Sequence, residues 1–115
     1  MRQWIGTGVA GKPDHRDRDG EFGARSGVPG AQLRERLSQT VREASETIRN
    51  LPLSRLTEPK TIQNYNVTAF EAIYHVVEHF SNHTGQILFA TKLLTGADLG
   101  YYRHLGRPKH AETTP

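Results

Sequence analysis

The chain contains no cysteine. It can therefore form no disulfide framework, offer no thiolate nucleophile and hold no Cys-ligated zinc. It also lacks any run of 18 apolar residues, which excludes a hydrophobic membrane-spanning helix. The opening Met1-Arg2-Gln3-Trp4-Ile5-Gly6 has no apolar stretch of the kind a signal peptide carries. The expected location is the cytoplasm. Hydrophobic residues are scarce, at 35% of 115 residues, so one domain with a small core is expected. Charge of one sign is lacking too. The net charge is only +3, and the basic residues are scattered, which gives nucleic-acid binding no support.

Glycine is plentiful, but unevenly so. From Gly6 to Gly30 there are seven glycines and two prolines around the charged run Asp14-His15-Arg16-Asp17-Arg18-Asp19-Gly20-Glu21. That composition predicts a long loop over residues 6–30, with residues 1–7 as the end of a helix. An unstructured loop of this length is uncommon in a compact domain, so it points to function, disorder or a missing partner element. For the alternating charges a solvated loop is the favoured reading.

Regular structure is expected further on. Leu33, Leu37, Val41, Ala44, Ile48 and Leu51 step by three and four, the spacing of one helical face, and predict a helix over 31–51 stopped by Pro52. Residues 53–66 form a connector with room for a short extended pair. Thr68-Ala69-Phe70-Glu71 is a capping box, and it predicts a helix over 68–95 ended by Gly96. Such a helix is roughly 40 Å long. Gly85 interrupts it at a cost of about 1 kcal/mol relative to alanine, which close packing or a ligand would explain. After Gly96, residues 97–105 are expected to make a short turn packing Tyr101 and Tyr102. Residues 107–115 are expected to be a polar tail.

The 68–95 helix carries His75, His79 and His83, each four residues from the next. At about 100° per residue, His79 and His83 lie near 40° and 80° from His75, while Ile73, Val76, Phe80, Ile87 and Leu94 lie between about 100° and 160°. The histidines border the expected buried face, with His83 furthest in. Two imidazoles at i and i+4 can close on one metal ion, and metal binding is favoured over buried histidines satisfied by hydrogen bonds. Two ligand arrangements compete. His75-Val76-Val77-Glu78-His79 fits the H-x-x-E-H of inverted zinc peptidases, with Glu78 as base. That pattern needs a downstream acidic ligand, and only Asp98 and Glu112 follow residue 83. The other arrangement uses His79 and His83.

His79-Phe80-Ser81-Asn82-His83-Thr84-Gly85-Gln86-Ile87 resembles the last-helix signature of the DinB/YfiT-like superfamily, in which H-x-x-x-H is followed by x-G-Q-[IV]. The run Leu88 to Gly96, the stretch Arg16 to Phe22 and the closing Asp98-Leu99-Gly100-Tyr101-Tyr102-Arg103-His104-Leu105 resemble one branch of it. The similarity spans residues 2–106. It implies an all-α fold, part of a four-helix bundle, with two long helices and a long N-terminal loop present here. It also implies a homodimer and a divalent metal, zinc or nickel, held by three histidines. His79 and His83 match two of them. The third comes in that family from an H-[LV]-x-G-N-like stretch, and Met1-Arg2-Gln3-Trp4-Ile5-Gly6 resembles the residues just after it. The chain thus looks N-terminally shortened, with residues 1–106 a partial domain.

Two imidazoles alone make a weak site, because stable zinc sites use three or four protein ligands. His75 cannot converge with both others, since two turns of helix separate its ends by about 11 Å. His15 or a partner chain is the candidate third ligand. By resemblance the activity is of thiol-transferase or hydrolase type on a small-molecule substrate. Gln86 and Glu78 would orient the ligands, and Arg16 and Arg18 would hold an anionic group. The alternative is a non-catalytic helical or dimerisation module, a shortened remnant with structural histidines.

Overall fold

The computed structural model describes residues 1–25, 27–101, 103 and 106. The expected polar tail at 107–115, and Tyr102, His104 and Leu105 of the closing motif, lie outside the described residues. The chain divides into two compact units, Met1–Phe80 and Ser81–Pro115.

The first unit is organised around an N-terminal π-helix, Arg2–Val9. Its wide turns show in the Ala10 N–H, which donates to the carbonyl of Ile5 at 2.9 Å, one residue beyond the α-helical partner. Gly11, at φ +72°, ends it. Ile5 and Val9 are buried on one face, with Trp4 and Met1 packed beside them. The expectation of an unstructured segment over 6–30 is corrected on two counts. The π-helix reaches Val9, and Arg18–Gly23 forms a short helix, α1. Counting glycines measures local propensity, which burial of Ile5 and Val9 overrides. In α1, Asp17 caps the start through a 3.0 Å bond from the Gly20 N–H, and Arg16 pairs with Glu21 at 2.7 Å.

Helix α2 runs Gly30–Arg49, close to its predicted span. Its apolar stripe is buried only towards the C-terminal end, where Ala44 and Ile48 meet the π-helix residues. Leu33, Leu37 and Val41, on the same stripe, remain 53%, 47% and 37% exposed. A turn of 3-10 helix, Leu53–Arg55, leads to an antiparallel hairpin of β1 (Pro59–Ile62) and β2 (Tyr65–Thr68), with Ile62 opposite Tyr65. Both turn residues, Gln63 and Asn64, have positive φ, as a tight two-residue hairpin requires. The all-α expectation is corrected to a mostly helical fold with one small sheet. Ile62 anchors that sheet in the core at 4% exposure.

Helix α3 spans Ala69–Thr95. Its first N–H groups are all taken. Ala69 donates to the Glu58 carbonyl, Phe70 to that of Leu56, and Glu71 to the Thr68 hydroxyl. The Glu71 carboxylate reaches back to accept the Thr68 N–H and hydroxyl, closing the capping box. Ala69 and Ala72 are fully buried, with Ile73, Val76 and Val67 packed on the core.

In the second unit the rest of α3 ends at Gly96, whose φ is +63° and whose N–H donates to the Lys92 carbonyl. A Cβ added at Gly85 would meet nothing within 4 Å, so close packing does not account for that glycine. Beyond the helix, Asp98 accepts the Gly100 N–H and pairs with Arg103 at 3.0 Å. Tyr101, expected to pack, is exposed.

The core depends on a close approach at Gly8, where a Cβ would collide with the Ile62 side chain. Gly8→Ala is expected to lower stability by about 1–3 kcal/mol, the usual cost of overpacking, as measured by urea denaturation. The capping carboxylate makes a pH prediction. Its hydrogen bonds, chiefly the Thr68 N–H, hold Glu71 below its ordinary value of 4.5. A pKa lowered by folding gives stability that is full above the unfolded value and lost as pH falls through the folded one. The stability difference between the wild type and Glu71→Gln should therefore shrink as pH is taken below 4.5.

Candidate metal centre

The capping box sets where α3 begins and hence the angular position of every side chain on it. Ala69, Ala72, Ile73 and Val76 turn to the core, which puts His75 at its edge, half-buried. There its ring packs on Trp4, with centroids 4.1 Å apart, and is followed by His79 at 5.6 Å. Trp4 in turn lies 6.1 Å from the Tyr65 ring, so a row of four rings leads from β2 to α3. His79 and His83 are exposed, as is Glu78. The expectation that His83 sits furthest in, with His75 outermost, is thus reversed. The helical wheel averages apolar residues over the full length of α3, whereas the core engages only its first turns.

His83 Nδ1 lies 2.9 Å from Gln86 Oε1, one turn on. An amide oxygen only accepts, so that bond places the ring proton on Nδ1 and makes Nε2 the unprotonated nitrogen of the neutral ring. Such an arrangement suits an imidazole that ligates through Nε2. Among the described residues, however, no three His, Cys, Asp or Glu side chains come together in a way that could hold a metal ion. Neither His15 nor Asp98 belongs to such a group.

His15 lies instead on a groove of about 720 Å³ within the first unit, walled by the π-helix, the residues around α1, and α2. Arg16 lines it as well, and Arg18 does not. Arg18 rests its guanidinium over the Phe22 ring at 5.5 Å. The groove was not visible from sequence. Its α2 wall is Arg36, Thr40, Glu43 and Thr47, a polar row whose helical spacing was the available signal, with Leu33 and Ala44 of the apolar stripe beside them. Met1 also lines it, and its α-amino group is held below its ordinary range, first by burial and then by the Arg16 charge.

The family model of the DinB superfamily matches residues 2–87. The chain belongs to the DinB superfamily. The match takes in the π-helix, α2, the hairpin and α3 as far as Ile87, and so includes His79, His83 and Gln86. No curated protein and no solved structure matches the chain. Among the described residues of this DinB-superfamily chain, no helix is long and apolar enough to cross a membrane.

The row of rings is directly testable, because Trp4 is the sole tryptophan. In His75→Ala the emission of Trp4 should move to longer wavelength as water reaches the uncovered indole, while His75→Phe should keep the wild-type maximum. An unshifted His75→Ala spectrum would show that the imidazole does not cover the ring.

Proposed function

We propose that this DinB-superfamily chain binds a divalent metal ion, zinc or nickel, with His79 and His83 as two of its ligands. The observation that carries the reading is the His83–Gln86 bond within the superfamily match, since it orients an imidazole for ligation one turn from a second histidine. His79 and His83 would supply two donors, and no third joins them among the described residues, whereas stable sites of this kind use three or four protein ligands. The remaining donor comes from a second copy of the chain, which completes a four-helix bundle as a homodimer. When bound, the ion would activate a thiol or water towards a small-molecule substrate, in transferase or hydrolase chemistry. Gln86 fixes the His83 ring.

A second reading is a non-catalytic helical module whose histidines are structural. The exposure of Leu33, Leu37 and Val41 on one stripe of α2 favours it, because an uncovered apolar stripe drives association without chemistry.

Calorimetric titration of the isolated chain with zinc and with nickel separates the two. Weak binding is expected, lost in His79→Ala and in His83→Ala, and weakened by roughly 10-fold or more in Gln86→Leu. A tight 1:1 isotherm in the monomer would overturn the half-site, and binding unchanged in His79→Ala would overturn the ligand assignment.

A further inference from the structure

The groove between the π-helix, α1 and α2 has the size of a small-molecule site and lies wholly within the first unit. Its charged lining divides by what each group already holds. Of the carboxylates only Glu21 is paired with a cation, Arg16 at 2.7 Å; Asp17 accepts the Gly20 N–H, Asp14 the Arg16 backbone N–H and Glu43 the Gln39 amide, neutral donors that leave those three charges in place. Arg2, Lys12 and Arg36 line the groove without a carboxylate partner among the described residues.

One of these cations is fixed against α2 beside the turn that carries another. Arg2 Nε donates to the Thr40 hydroxyl at 3.1 Å, and that hydroxyl donates to the carbonyl of Arg36 at 2.7 Å. Thr40 stands one helical turn after Arg36, so the bond fastens Arg2 of the π-helix to the turn of α2 that carries Arg36. A neutral acceptor leaves the Arg2 charge uncompensated and uses only one of its five N–H donors. Two guanidinium groups beside a concave wall attract and grip an oxyanion through paired N–H donors.

From this arrangement we infer that the groove binds a small oxyanion, a carboxylate or phosphate group, through Arg2 and Arg36. Glu43 lies on the same α2 wall, seven residues after Arg36, and its negative charge works against the ligand. Its removal should therefore tighten binding.

The test is calorimetry at low ionic strength on the metal-stripped, dialysed chain, with pyrophosphate in one arm and succinate in the other. Binding of pyrophosphate alone assigns phosphate chemistry, binding of succinate alone assigns carboxylate chemistry, and binding of both assigns the oxyanion in general. Arg36→Gln should weaken the bound probe by about tenfold or more, the worth of charge-assisted hydrogen bonds to one guanidinium. Glu43→Gln should strengthen it. Arg34→Gln, an α2 cation outside the groove lining, should leave it unchanged. Arg36 is exposed, so the variant is expected to fold, which circular dichroism checks. Absence of binding by both probes overturns the inference, and so does an Arg34→Gln loss as large as that of Arg36→Gln. Because no metal is present and His79→Ala should bind the probe as the wild type does, failure here is separable from failure of the metal site.

Discussion

The first unit depends on one close approach, the Ile62 side chain of β1 against the bare backbone at Gly8 of the π-helix. Ile5 and Val9 turn their side chains into the same core, and Ala44 of α2 and Ala69 and Ala72 of α3 fill the remainder. Alanine predominates where helices approach closely, because a small side chain lets backbones come together without a void. The core is thus made of a few tight contacts and not of bulk. Ile5 is the one large side chain among the described residues that is fully buried. Such a core is sensitive to added volume and has little reserve elsewhere.

That constraint carries through to the histidines. The hairpin ends at Thr68, and the capping box starts α3 there. With Ala69 and Ala72 committed to the core, the rotation of α3 is set. His75 comes to rest on Trp4, and His79 and His83 are left outside. The two imidazoles are exposed, Gln86 holds that of His83, and among the described residues no further His, Cys, Asp or Glu joins them to form a group that could hold an ion. A metal there needs a further surface to complete it. The uncovered apolar stripe of α2, Leu33, Leu37 and Val41, likewise awaits a covering surface. Both features belong to a chain that leaves interaction surface open.

Much of the local structure was legible in the residues. The three- and four-residue steps from Leu33 to Leu51 and the box Thr68-Ala69-Phe70-Glu71 marked the two long helices to within two residues, because helical periodicity and capping are local properties. The H-x-x-x-H followed by Thr84-Gly85-Gln86-Ile87 marked the superfamily, which the match over residues 2–87 shows. The π-helix was only half legible, since its glycines argue for a loop and its burial is decided by α2 and β1, far away in sequence. The groove was not legible, because its walls come from three segments that only folding brings together.

By itself, then, the sequence determined the two long helices and the capping box of α3 and marked the H-x-x-x-H pair His79 and His83, all set within a few residues. Only the tertiary structure decided which histidine is covered, how much of the α2 stripe is buried and where Arg2 meets Thr40. The physical reason is that a helix presents all its faces equally until a partner buries one. For α3 the choice was made by Trp4 and the alanines of its first turn, and for α2 by the π-helix that Gly8 lets close against β1.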